Sequence, residues 1–288
     1  MSKPDRNRQQ QARARIAAAQ AQERQKARRR RILAIGGLAA ALVIVLVIVI
    51  VAVASSSSST KQAGQTSGAL PADVQSKLSV PPSTLASVGI GSATPSAMKA
   101  VTGPALTSGG KPEMLYIGAE WCPYCAAMRW AMAVALSRFG TFSPLKGIHS
   151  SSTDISPNTA TLTFYRSTYT SKYLVFTPVE NQDLNHNTLV TPTAAQQALW
   201  TKYAPPGDSY PFIDIGNRFV TGATYNPQVL SRLTWSQIAA DLHIATTPPA
   251  MGADGSANLL TAAICKITGN MPANVCTTAP VSTIEPHI

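Results

Sequence analysis

The sequence predicts an α/β domain, a central mixed sheet flanked by helices, preceded by one transmembrane helix. Three observations predict it. The apolar run Met114-Leu115-Tyr116-Ile117-Gly118 reads as a buried strand that leads into Cys122-Pro123-Tyr124-Cys125 and then a helical pattern from Ala126 to Phe139. Thr161 to Tyr165 and Tyr173 to Thr177 alternate and carry β-branched and aromatic residues, which reads as two more strands. Ile32 to Ala54 runs without a charge and is long enough to cross a hydrocarbon layer of about 30 Å.

The Cys-x-x-Cys pair is the centre of the chain. Two intervening residues let both sulfurs meet across the first turn of a helix. Cys122 falls at the helix N-terminus, where unpaired N–H groups and the positive end of the dipole favour a thiolate. Pro123 suits the first helical position, which has no N–H bond to lose. Cys125, one turn in, is the resolving cysteine of a dithiol, and Gly140 stands where a helix C-terminal glycine belongs. The alternatives are a structural disulfide and half of a zinc site; a zinc site needs a second close Cys or His pair, and none follows at that spacing. His149, His186, His243 and His287 show no ligand spacing either.

Glu120-Trp121-Cys122-Pro123-Tyr124-Cys125 resembles a thioredoxin-superfamily active site. Three further stretches resemble the membrane-anchored family known as domain of unknown function 929: Ser150 to Asp154, Tyr173 to Glu180, and Pro211 to Asn217. The resemblance implies a thioredoxin-like fold with an inserted strand and helix segment between Leu145 and Ala204. It implies that Pro211 is a cis-proline facing the Cys pair and that Trp121, Tyr124, Tyr210 and Pro211 contact substrate. One position departs from the thioredoxin pattern. The buried acid six residues before the first Cys is here Tyr116, and Glu120 is expected to point elsewhere.

Charge divides the chain. Its net charge is +11, but Met1 to Arg31 hold 11 Lys and Arg against two acids, so the remainder is close to neutral. Arg28 to Arg31 abut the apolar run, which predicts a cytoplasmic N-terminus and an extracytoplasmic body. The apolar run exceeds the core of a cleaved signal peptide, favouring a retained anchor over the cleavage suggested by Ala52-Val53-Ala54. The predicted organisation is a basic tail over 1–31, an anchor over 32–54, a serine-rich linker over 55–69 and the outer domain over 70–288.

Within that domain, Asp73 to Leu78 reads as a short helix and Pro71 to Gly103 as a segment on the domain edge, with the core beginning at Lys111. Met128, Met132 and Leu136 mark the buried face of the dithiol helix, with Arg129 and Arg138 on other faces. Lys146 to His149 reads as a strand. Thr193 to Tyr203 reads as a helix capped by Thr191 or Thr193. Tyr210 to Val220 is a hairpin with a Gly-Asn turn. Thr234 caps a helix that places Trp235, Ile238 and Leu242 in the core. Thr246 to Gly255 reads as a Pro/Gly-rich connector, after which Ser256 caps a helix to Ile267. Cys265 and Cys276 then suit a structural disulfide in an oxidising compartment, with a second relay dithiol as the alternative.

The function expected is thiol–disulfide exchange with exported Cys-containing proteins, at the membrane, with no cofactor, no metal and no nucleic acid, and with a membrane redox partner to reset the pair. The alternative is a binding module in which Cys122 and Cys125 form a permanent disulfide.

Overall fold

The computed structural model describes residues 68–204 and 209–288. The basic tail, the apolar run 32–54 and the serine-rich stretch as far as Ser67 lie outside the described residues. Among the described residues no helix is long and apolar enough to cross a membrane.

Strand β1 (Gly68–Ala69) is followed by helices α1 (Ala72–Ser76) and α2 (Pro82–Val88), strands β2 (Lys99–Ala100), β3 (Thr107–Ser108) and β4 (Lys111–Ala119), and the dithiol helix α3 (Pro123–Ser137). Then come β5 (Gly140–Phe142), β6 (Lys146–His149), β7 (Ala160–Thr163), β8 (Tyr169–Ser171), β9 (Val175–Gln182) and helix α4 (Ala194–Tyr203). The chain closes with β10 (Phe212–Ile215), β11 (Phe219–Thr221), α5 (Trp235–Asp241), α6 (Gly255–Ile267), α7 (Ala273–Cys276) and α8 (Val281–Ile284).

The central sheet is mixed. β4 pairs in parallel with β9, from Glu113 against Val175 to Ala119 against Gln182, and antiparallel with β10, from Phe212 against Ile117 to Ile215 against Met114. β10 and β11 form the expected hairpin, and β11 carries β2 at its outer side. Its turn needs positive φ, supplied by Gly216 at 67° and Asn217 at 51°. β9 extends to Gln182, well past Thr177, because its parallel partner continues that far. β1, β6 and β7 make a second small sheet, and β5 with β8 a third.

Helix α3 packs against β7 and α6. It is buried from Pro123 to Leu136 apart from Tyr124, so its apolar surface is all round rather than a stripe. Its termination differs from the sequence reading. Arg138 is the C-cap, and Gly140 opens β5 instead. A Cβ on Gly140 would lie 2.3 Å from the Thr170 carbonyl of β8, so that glycine serves strand approach.

Five other expectations are corrected. Gly68 and Ala69 are not linker; they pair with Gly147 and Lys146 as an edge strand. The segment from Leu70 is not peripheral, since Leu70, Val74, Leu78 and Leu85 are in the main apolar cluster. Ala250–Asp254 is a buried π-helical turn running into α6 rather than a connector. Ser256 therefore lies inside the helix, where its hydroxyl bonds Thr224 at 2.7 Å. Trp235 is half-buried, while Ile238 and Leu242 are fully enclosed.

The π-helical turn ends on a buried carboxyl. Asp254 is 0% exposed and neither of its oxygens has a hydrogen-bond partner among the described residues. Burial pushes its pKa up to about 8. The folded form thus holds a proton that the unfolded chain releases near pH 4. Its contribution to stability is full below that pH and is lost as pH rises through about 8. Asp254→Asn is expected to remove this slope and to raise Tm by roughly 5 °C at alkaline pH. Thermal unfolding across the pH range checks it.

Candidate active site

The dithiol sits where β4 hands over to α3. Cys122 donates its N–H to the Ala119 carbonyl at 3.2 Å and takes extended dihedrals as the helix N-cap, with Pro123 in the first turn. Its sulfur accepts the Cys125 N–H at 3.2 Å, so the first turn is capped by the Cys122 side chain. Both cysteines are free thiols. Cys122 is 3% exposed and Cys125 is 0% exposed.

Their electrostatics are asymmetric. A hydrogen bond from the Cys125 thiol holds the Cys122 pKa below the ordinary thiol value, against its burial, with help from the Cys125 N–H and the Arg129 charge. Burial pushes Cys125 well above that value, and its bond and charge contact with Cys122 push the same way. One sulfur is thus prepared as a thiolate and the other kept as a thiol.

Opposite the sulfurs stands the loop before β10. The Tyr210–Pro211 peptide is cis, and the Tyr210 carbonyl lies 3.9 Å from the Cys122 sulfur. The Tyr210 ring meets Trp121 edge to face at 5.8 Å, and its hydroxyl donates to the Asn181 side chain. Trp121 is fixed by its own N–H bond to Gln182 at 2.9 Å and by His186, whose ring lies 4.7 Å away. Sequence reading had no reason to bring His186 here; it arrives on the loop after β9.

A groove of about 740 Å³ opens beside Cys122, lined by Trp121, Tyr124, Ile155, Tyr210 and their neighbours. Tyr124 is 40% exposed and Ile155 is 58% exposed, so this groove has two large apolar side chains at its surface. The structure brings Cys122, Trp121, Tyr124 and Tyr210 to one groove; Pro211 lies behind Tyr210, in a neighbouring cavity with Phe212 and Val220.

Three polar residues lie under the site: Arg129, Tyr116 and Glu120. Arg129, expected on a face other than that of Met128, Met132 and Leu136, does not reach solvent. It is fully buried and forms a two-pronged ion pair with Glu180, at 2.8 and 2.7 Å. Tyr116 is also fully buried, and its hydroxyl has no hydrogen-bond partner among the described residues. Glu120 does turn away from the sulfurs and accepts the Thr163 hydroxyl at 2.8 Å. The available signal for Arg129 was its spacing: positions 122, 125 and 129 share one helix face.

Cys265 and Cys276 are joined in a disulfide between α6 and α7, with Cα atoms 5.5 Å apart. They belong to the main apolar cluster, whereas Cys122 and Cys125 form a separate one with Ala119, Trp121 and Tyr210. Among the described residues no group of three or more His, Cys, Asp or Glu is placed to hold a metal ion.

The family model described as Domain of unknown function (DUF929) matches residues 98–207. The resemblance to that family drawn from the sequence is established over this span, which contains the Cys pair, Arg129 and Glu180; Tyr210, Pro211 and the disulfide lie beyond it. No curated protein and no solved structure matches the chain.

Proposed function

We propose that the chain is a thiol–disulfide oxidoreductase with a thioredoxin-like domain. The fold supports this through its connectivity. A strand leads through the Cys-x-x-Cys helix to a parallel partner, and an antiparallel hairpin then joins the first strand on its other side. The observation that carries the reading is the asymmetric dithiol at the helix N-terminus, facing the Tyr210 carbonyl.

In the reducing direction, the Cys122 thiolate attacks a substrate disulfide, forming a mixed disulfide and releasing one substrate thiolate. The Cys125 thiol then attacks the Cys122 sulfur. The Cys122–Cys125 disulfide forms, the mixed disulfide breaks, and the second substrate sulfur leaves with the Cys125 proton. The reverse sequence oxidises a substrate dithiol. Trp121, Tyr124, Ile155 and Tyr210 offer an apolar and aromatic seat for the chain flanking the substrate cysteine. The thioredoxin resemblance places pairing with an extended substrate segment at Tyr210, beside its cis bond to Pro211. The reading includes attachment to a membrane through 32–54, an extracytoplasmic domain, exported Cys-containing substrates and a membrane redox partner.

The test is catalysis of disulfide formation in a reduced two-cysteine peptide with glutathione disulfide as oxidant. The full chain is expected to accelerate it, and Tyr124→Ala with Ile155→Ser to weaken turnover by roughly tenfold through lost apolar contact. No acceleration at any glutathione ratio would overturn the reading.

A further inference from the structure

Beneath the sulfurs lies a charge that the exchange chemistry above does not use. Cys122, Cys125 and Arg129 share one face of α3, and Arg129 stands one turn below Cys125. Its Nη2 donates to the Ala119 carbonyl at 2.8 Å, the same oxygen that accepts the Cys122 N–H. Its Nε and Nη2 hold both oxygens of Glu180. Its Nη1, fully buried, has no partner among the described residues.

Tyr116 adds a second unpartnered donor. Its side chain runs along β4 over Gly118, where an added Cβ would lie 2.0 Å from the Tyr116 hydroxyl. The parallel register places Glu180 opposite that same Gly118. The hydroxyl and the guanidinium are therefore carried to the end of the strand that holds the dithiol. Buried donors are normally satisfied, so two orphans at one place call for an acceptor that is present only part of the time.

We propose that Arg129 is the positioning cation of the dithiol and makes the pair a disulfide donor: it stabilises the negative charge released on the sulfurs when the Cys122–Cys125 disulfide opens, while Glu180 fixes its orientation. The inference rests on the exchange reading above. A substrate thiolate attacks the Cys122 sulfur, the Cys122–Cys125 bond breaks, and Cys125 takes the electron pair. A second substrate thiolate then displaces Cys122, which leaves as a thiolate; the substrate is oxidised by two electrons and the pair reduced by two. The two protons of the substrate thiols account for the charge, one of them ending on Cys125. A second disulfide compound must then reoxidise the pair.

Burial gives the cation its effect. A charge on either sulfur forms out of water, where an opposite charge acts strongly. The other ionisable groups around the pair are Tyr116 and Glu120 at the end of β4, Tyr124 on α3, Asp154 after β6, Glu180 at the end of β9, Asp183 and the exposed His186 just beyond it, and Tyr210 before β10; among the described residues there, Arg129 is the buried cation. Burial keeps Cys125 protonated at rest, with Arg129 opposing it, so the charge there is transient. For Cys122 the Cys125 hydrogen bonds and Arg129 act together.

The test uses the full chain and three variants. Two quantities are read: the ultraviolet titration of the Cys122 thiolate, and the equilibrium constant for oxidation of the dithiol by glutathione disulfide. Arg129→Met should raise the thiolate titration by about one pH unit and increase that constant about tenfold, which is about 30 mV toward a reductant. Glu180→Gln leaves the cation uncompensated and should move both quantities the other way. Arg129→Lys should stay near the native values. Opposite shifts support the inference. Unchanged values, or shifts of the same sign, would overturn it and leave Arg129 as a structural tie. Should Arg129→Met fail to fold, the Glu180→Gln shift alone decides by its sign. A native pair that never exchanges with glutathione would instead overturn the exchange reading itself.

Discussion

Cys122→Ser is expected to bring exchange down to background, a loss on the order of 10³-fold or more, while Cys125→Ser is expected to trap substrate. The asymmetry follows from position. Cys122 caps the helix with its sulfur, accepts the Cys125 N–H and faces the groove. Cys125 is fully enclosed, against the Cys122 sulfur and the Ala119 backbone. Without Cys122 no thiolate meets the substrate. Without Cys125 the first attack proceeds and the mixed disulfide persists, visible as a mass increase that a reductant removes. In the native chain the first attack should quicken as pH rises and level off below the pH at which an ordinary thiol ionises, because the Cys122 pKa is lowered chiefly by the Cys125 hydrogen bond.

The second large effect is on stability. Arg129→Ala or Glu180→Ala leaves one fully buried charge without its counter-ion. Each is expected to cost about 3–5 kcal/mol, a fall of roughly 10 °C in Tm for a domain of this size. Replacing both residues by methionine should restore most of that loss, since a buried pair exchanged for apolar side chains of similar volume is often neutral. Urea unfolding of the single and double variants measures this. The double variant would also separate the two roles of Arg129, because it keeps packing and removes the cation from the dithiol.

The parts of this fold that were legible in the sequence are local. The strand ending before Cys122, the proline after it and the helix behind it are specified within one continuous stretch. The Gly216-Asn217 turn gave away its hairpin, and the Thr193 and Thr234 caps their helices, because each device acts over a few residues. The Arg129–Glu180 pair was illegible because its partners are 51 residues apart. A charged residue in an alanine-rich helix reads as solvent-facing unless the distant strand is known.

Glycine misled for a related reason. Gly252 and Gly255 made residues 246–255 look like a connector, yet each is required by a close approach. An added Cβ would lie 2.5 Å from the Tyr225 ring at Gly252 and 2.3 Å from the Ile90 carbonyl at Gly255. The same residue type that breaks a helix in solution permits this one to pack tightly. Tyr116 stood out only as a departure from the thioredoxin pattern; that its hydroxyl lies over Gly118 depends on the register of β4 against its neighbours.

The most direct test of the central claim is the redox state of Cys122 and Cys125 across a series of glutathione buffers, read by thiol alkylation and mass spectrometry of the full chain. The account predicts one reversible, two-electron transition assigned to this pair, with Cys265–Cys276 remaining oxidised throughout. A pair that stays oxidised under strong reduction, or stays reduced in every buffer, would contradict it and leave an α/β scaffold without exchange chemistry.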